Sequence, residues 1–137
     1  MADKVIFELV SPEKLLFSAE VDMVVVPGTE GDFGVLPDHA PFLSTVRAGV
    51  LDVYEGGINP VNLKTRIFVA GGFAETADSR LTVLAEEAVP LADLNRARIE
   101  ARLADARVRL QEAGGDEAKA EAERAIGIAE AMLAVAA

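Results

Sequence analysis

The sequence contains no cysteine, no tryptophan, one histidine and one tyrosine. Without cysteine it has no disulfide framework, no thiolate nucleophile and no Cys-based metal site, and it suits a reducing compartment. His39 alone makes a thin ligand set, and Asp32 and Asp38 nearby do not complete one. A structural or interface histidine is the favoured reading. Basic residues are scarce: 13 Lys and Arg stand against 23 Asp and Glu, leaving a net charge of −10. That balance argues against a nucleic-acid footprint and disfavours adsorption to anionic lipid.

Long hydrophobic runs are missing too. No stretch approaches the roughly 18 apolar residues of a membrane-spanning helix. The first apolar stretch, Val5–Val10, is interrupted by Glu8 and is too short for a secretory signal. No Arg/Ser-rich stretch of the organellar transit type precedes Val5. Catalytic signatures are equally sparse. Gly28-x-x-Gly31-x-x-Gly34 is not the dinucleotide pattern, and there is no Gly-Lys-Ser/Thr phosphate loop. Glu86 and Glu87 alternate across a strand, and the serines lack a helper base in a recognisable motif. No catalytic residue, metal ligand or required cofactor emerges. A small β-sandwich enzyme therefore ranks last among the functional readings.

What is present begins with Pro27–Pro41, which holds three of the 11 glycines, three of the six prolines and His39. Val24-Val25-Val26 leads in and Phe42-Leu43 leads out. Glycines at 28, 31 and 34 permit positive φ or close approach, and the prolines remove donors. The expectation is an ordered contact loop, crossed by no regular ladder, with Phe33, Val35 and Leu36 buried.

Around it lie short apolar runs bounded by turn signals. They are Lys4–Val10, Leu15–Phe17, Val21–Val26, Phe42–Val46, Gly49–Tyr54, Arg66–Ala70, Phe73–Thr76 and Leu81–Leu84. Gly56-Gly57 signals a hairpin, and Gly71-Gly72 is expected to end a strand. Such spacing argues for an antiparallel β-sandwich or flattened barrel over residues 1–88.

From residue 89 the character changes to Ala, Glu and Arg. Ile99, Leu103, Ala106 and Leu110 share one helix face, with Asp93 expected in the first turn. Gly114-Gly115 stops that helix, and Asp116 is the expected cap of a second. On the second, Ala118, Ala122, Ala125, Ala129, Met132 and Ala136 form the seam. The reading is an antiparallel two-helix hairpin over residues 89–137. Its alanine seam is thin, so it must lean on another surface, which opens the way to a conformational switch. Charge divides likewise: 6 basic against 14 acidic residues up to Pro90, and 7 against 9 beyond. The arginines of the first helix, Arg96, Arg98, Arg102, Arg107 and Arg109, read as a solvated face with pairs such as Arg96–Glu100, or as a dock for an acidic partner.

Pro27-Gly28-x-Glu30-Gly31-x-Phe33-Gly34-Val35-Leu36-Pro37-x-His39-Ala40-Pro41 resembles the hallmark of the epsilon subunits of bacterial F-type ATP synthases. So does Gly71-Gly72-Phe73-x-Glu75 followed by Leu81-Thr82-Val83-Leu84-Ala85. One departure is Asp38, where the family usually has glycine; if the site needs positive φ, aspartate tolerates it better than most residues. The resemblance implies a non-catalytic rotor part of the central stalk, peripheral to the bacterial inner membrane. Glu30, Gly31, Asp32 and Phe33 would meet polar loops of the c-ring. Ser11, His39 and Ser44 would lie on the face toward the gamma subunit. The hairpin would be regulatory, compact or extended, and its arginines would meet the catalytic alpha and beta subunits when extended.

Some relatives bind ATP through Ile/Leu-Asp-x-x-Arg-Ala, which here reads Ala92-Asp93-Leu94-Asn95-Arg96-Ala97. Asp93, Arg96 and Ala97 match, as does Arg124 on the second helix, but Ile128 stands where a second arginine is usual. Losing one charged clamp removes about 1.5–3 kcal/mol, so ATP binding is expected to be weak or absent. Inhibition of hydrolysis is likewise expected to be weak, since the hairpin lacks a lysine-rich end. The alternative reading is a free-standing ATP-sensing module built on the hairpin.

Overall fold

The computed structural model describes residues 4–136; the outer ends of the two expected domains, residues 1–3 and 137, lie outside them. The chain divides into two compact units, one ending at Pro90 and one starting at Leu91.

The first unit is an eight-stranded sheet folded on itself: β1 (Val5–Val10), β2 (Leu15–Val21), β3 (Met23–Gly28), β4 (Gly31–Val35), β5 (Phe42–Thr45), β6 (Gly49–Tyr54), β7 (Leu63–Ala77) and β8 (Arg80–Pro90). Neighbours run β2-β1-β8-β7-β6-β3-β4, and β5 joins the far half of β7. The pairings are antiparallel except β1 with β8, which is parallel. Two layers result. One is β5, the C-terminal half of β7, the N-terminal half of β8, β1 and β2. The other is the remaining halves of β7 and β8 with β6, β3 and β4. Both long strands are shared between layers.

That sharing overturns the expectation that Gly71-Gly72 ends a strand: β7 runs through both. Leu63–Val69 pairs with β6, and Phe73–Thr76 pairs with β5. Gly71 and Gly72 adopt φ of 70° and 108° at the crossover. A Cβ on Gly72 would lie 1.7 Å from the Leu84 carbonyl oxygen. Glycine at this pair bends a continuing strand rather than terminating it.

The run Val21–Val26 is similarly corrected. Val21 ends β2, Asp22 turns the corner, and β3 starts at Met23. The Asp22 carboxylate accepts bonds from the backbone N–H groups of Gly56 (2.6 Å) and Gly57 (2.7 Å) and pairs with Lys4 at 2.5 Å. It thereby ties the β6–β7 turn to the β2–β3 corner. These contacts hold its pKa below the usual carboxylate range, the Lys4 bond first and the Gly57 N–H next. Between the layers, alternate residues bury Val5, Phe7 and Leu9 from β1, Val24 and Val26 from β3, Leu51 and Val53 from β6, and Leu81 and Val83 from β8.

The second unit holds α1 (Arg96–Glu112) and α2 (Asp116–Val135), which pack against each other. Helix α1 starts later than the sequence suggests. Residues Leu91–Asp93 form a separate 3-10 turn, and Asn95 caps α1 by accepting a bond from Arg98 N at 3.0 Å. Asp93 is therefore outside the first turn, which has no acidic residue. In α2 the cap position is Gly115, and Asp116 is the first helical residue. Asp116 and Glu117 still place negative charge at the positive end of the helix dipole. Ile99, Leu103 and Ala106 are buried on α1, and Ala122, Ala129 and Met132 on α2.

Candidate docking surface

The Pro27–Pro41 stretch is half ladder and half loop, which corrects the expectation that no ladder crosses it. β3 and β4 form a tight antiparallel hairpin, pairing Val26 with Phe33, Pro27 with Asp32 and Gly28 with Gly31. Pro27 fits because its missing donor faces the far side, where its carbonyl accepts the Arg47 N–H at 2.9 Å. Thr29 and Glu30 form the tip, and Gly31 takes φ of 126° to close it. Gly28 leaves room for Phe33, whose ring would lie 3.0 Å from a Cβ there.

The tip is braced from its base. Thr29 N–H donates to Thr45 O at 3.1 Å, and the Thr29 and Thr45 hydroxyls lie 2.6 Å apart. The Arg47 guanidinium pairs with Asp32 at 2.6 Å and reaches Gly28 O at 3.4 Å. Glu30, Gly31 and Asp32 are exposed, and Phe33 is half-buried. The Phe33 ring meets Phe42 edge-on at 5.2 Å, which joins the hairpin to β5.

The loop half follows. Val35 is buried as expected, but Leu36 is 42% exposed, because β4 ends at Val35 and the chain turns outward. Asp38 adopts φ of 62°, the left-handed conformation that aspartate tolerates better than most residues. Its N–H donates to Ser79 Oγ at 2.8 Å, and Ser79 Oγ donates back to its carboxylate at 3.0 Å. His39 is half-buried, with Nδ1 2.7 Å from Ala40 O. Thr76, buried on β7, donates to the same carbonyl at 2.8 Å. The loop is thereby pinned to the β7–β8 turn.

Ser11 closes the β1–β2 turn, accepting the Lys14 N–H at 3.2 Å. Ser44 pairs across β5 with Ala74, which is buried, while its neighbours Leu43 and Thr45 are exposed. Ser11 thus lies in a turn at the end of β1, His39 in the loop beside Thr76 of β7, and Ser44 within β5. On the outward side of the layer that contains β5, β7, β8 and β1 is a feature the sequence reading missed. Leu15, Leu43, Phe73 and Leu84 are 55%, 63%, 51% and 39% exposed. Register carries Phe73 beside Leu84, Leu84 across from Val10, and Val10 across from Leu15. The available signal was apolar residues at both parities of β7 and β8, but parity alone does not say which face is covered.

In the helical unit, Arg96 donates from one guanidinium nitrogen to Leu133 O at 3.2 Å and Ala136 O at 3.1 Å. Asp93 lies in the 3-10 turn before it, and Ala97 is the next residue of α1. Arg124 lies nine residues before Leu133 on α2, about 14 Å along the axis at the usual rise. The folded-back hairpin therefore brings Asp93, Arg96 and Ala97 to one end and leaves Arg124 toward its middle. No helix among the described residues is long and apolar enough to cross a membrane.

A family model for the ATP synthase delta/epsilon chain β-sandwich domain matches residues 4–91. The sequence is 58% identical over 134 residues to the ATP synthase epsilon chain of Rhodospirillum rubrum, covering 98% of this chain and 97% of the relative. It is 53% identical over 137 residues to that of Paramagnetospirillum magneticum, covering both chains completely. Among solved structures, a chain of the Euglena gracilis mitochondrial ATP synthase superposes with TM-score 0.78 at 24% identity, over 98% of this chain and 82% of that one. A chain of the Tetrahymena thermophila central stalk and c-ring gives 0.62 at 13% identity, over 98% and 97%. These two superpositions speak to the fold alone.

Proposed function

The chain belongs to the ATP synthase delta/epsilon family, and from that premise we propose that it is a non-catalytic central-stalk part of a rotary ATP synthase. It couples c-ring rotation to the catalytic head through contact with gamma. The observation that carries this reading is the outward apolar face of Leu15, Leu43, Phe73 and Leu84 on a rigid sheet. Contiguous exposed apolar surface of this kind marks a protein partner. The braced tip of Glu30, Gly31, Asp32 and Phe33 supplies a second contact, toward polar loops of the c-ring. Ser11, His39 and Ser44 border the gamma-facing layer. A rotor part must pass torque without deforming, and a tip held by Arg47, Thr45 and the Phe33–Phe42 contact meets that need. The protein is peripheral to the inner membrane through the complex, on the cytoplasmic side.

The helical hairpin is the regulatory element, with weak inhibition of ATP hydrolysis and weak or absent ATP binding. Arg96 already caps the end of α2, so a nucleotide phosphate would have to displace two carbonyl contacts. The test of the main reading is capture from detergent-solubilised membranes with a tagged chain. Gamma and the c-ring co-purify if it holds; recovery of neither overturns it. Removing residues 91–137 tests the regulatory reading in the assembled enzyme. Hydrolysis changes by less than about twofold if inhibition is weak, an effect under 0.5 kcal/mol on the barrier. Many-fold activation rejects that part, and micromolar ATP affinity by calorimetry rejects the nucleotide part.

A further inference from the structure

We propose that Glu75 is the specificity-determining residue of the apolar face, and that it receives a lysine or arginine side chain from the gamma surface that covers that face. The proposal rests on the docking reading above and names the chemistry of its centre. Glu75 lies on β7 between Leu43 of β5 and Thr82 of β8. Phe73, two residues earlier, points to the same side of the strand. The bend at Gly71-Gly72 starts this outward register.

Leu43, Phe73, Glu75, Thr82 and Leu84 together line a depression of about 420 Å³. Three of the five are apolar and Thr82 is neutral, so Glu75 is the only charge. The next acid along this layer, Glu8, is already matched by Arg80 at 2.6 Å. The Glu75 carboxylate has no hydrogen bond or ion pair among the described residues. In water that costs nothing, because a solvated carboxylate needs no partner. Once an apolar surface covers Leu43, Phe73 and Leu84, the carboxylate loses its water and must be paired.

The shape selects the partner group. A long cationic side chain lays its aliphatic stem against leucine and phenylalanine while its head meets the acid. Arginine adds a fork that matches a carboxylate with two bonds. A partner surface with apolar side chains and one such cation satisfies the whole depression. An acidic or purely apolar surface leaves a buried unpaired charge and is rejected. The face therefore discriminates by one ion pair set within an otherwise sequence-tolerant apolar contact.

The test uses the catalytic head with gamma in place but stripped of this chain. Full-length parent, Glu75→Gln, Glu75→Lys and Leu43→Asp chains are titrated onto it by biolayer interferometry at low and high salt. Thermal melts check that each variant folds. The expected result is about tenfold weaker binding for Glu75→Gln and about a hundredfold for Glu75→Lys, with a flatter salt dependence for Glu75→Gln. A Lys/Arg→Glu scan of the gamma contact surface then restores Glu75→Lys binding at one position. Loss of binding by Leu43→Asp alone, with both Glu75 variants equal to the parent, overturns the proposal and leaves apolar docking intact. Parent-like binding by Leu43→Asp and Glu75→Lys together overturns the docking reading itself.

Discussion

The two units of this chain are held together by different means. The β unit fully buries large side chains from several strands, including Phe7, Leu9, Leu51 and Leu81. The helical unit has Ile99, Leu103 and Met132 as its large buried residues, and its other buried positions are alanines. Burying a large apolar side chain contributes about 1.5–3 kcal/mol, and an alanine methyl contributes a fraction of that. The hairpin therefore depends more heavily on its ends, where Asn95 caps α1 and Arg96 caps the carbonyls of α2. The lesson is a division of labour. The docking surface proposed above sits on the well-filled unit. The segment proposed as regulatory sits on the thin one, where local opening costs least.

The hardest blow to the rigid unit is Gly72→Ala. The added methyl overlaps the Leu84 carbonyl, and φ of 108° is unfavourable for any side chain. Backbone strain and overpacking together cost about 4–5 kcal/mol. Tyr54 is the only tyrosine and lies in β6, so its fluorescence in a urea titration reports the β unit. The expected result is a strongly lowered midpoint, or no folded protein. A midpoint within experimental error of the parent would mean that the shared strands do not bend at Gly71-Gly72.

A matched pair of core truncations measures the asymmetry directly. Phe7→Ala should cost about 3–5 kcal/mol, because its ring is fully buried between the layers and touches Phe17 at 5.6 Å between centroids. Leu103→Ala should cost about 2–3 kcal/mol, read from helical circular dichroism rather than tyrosine emission. Equal costs would erase the contrast between the two units.

These two predictions also mark what the amino acids disclosed and what they withheld. The layered β unit, the hairpin and most of its buried face were legible because period-2 and period-3.6 patterns are local, though Ala118, placed in the seam by that period, is exposed. Strand ends were not. Gly71-Gly72 looks like a stop in one dimension, and only the pairing of β7 with both β6 and β5 turns it into a bend. Asp93 and Asp116 each suit a helix start, yet Asn95 and Gly115 occupy the cap positions. Those choices depend on where the preceding 3-10 turn and the short interhelical connection release the backbone. The residues Glu30 to Phe33 were singled out through their motif. Arg47 was not, because a brace 15 residues from Asp32 leaves no local trace. The apolar outward face escaped for the same kind of reason, since Leu43, Phe73, Leu84 and Leu15 meet only through register.

A gentler perturbation acts at the end of the thin unit. Arg96→Gln removes the charged donor from Leu133 O and Ala136 O. The last turn of α2 has no basic residue of its own, so its terminal carbonyls lose the cationic partner that α1's first turn supplies. The contact is exposed, and its loss should cost about 1 kcal/mol. Amide exchange near Met132 and Leu133 should quicken about fivefold by the same estimate, while β-unit amides keep their rates. Unchanged exchange in α2 would show that the hairpin closes without this cap.

The smallest effect belongs to pH, and it falls on the rigid unit. Asp22 has its pKa lowered from 3.8 by Lys4 and by the Gly57 and Gly56 N–H groups. A carboxylate depressed by folding stabilises the protein above its unfolded pKa, and that contribution is lost as pH falls through the folded value. Asp22→Asn removes the charge but retains an acceptor for one glycine N–H. Parent and variant should therefore differ by a constant amount above about pH 5 and converge below about pH 4. The crossover must appear in Tyr54 emission, because Asp22 ties the β2–β3 corner to the turn that follows β6. Helical circular dichroism should show no matching shift at matched denaturant. If the difference between parent and variant persists undiminished at pH 3, the corner is held by the backbone alone and the carboxylate is a bystander there.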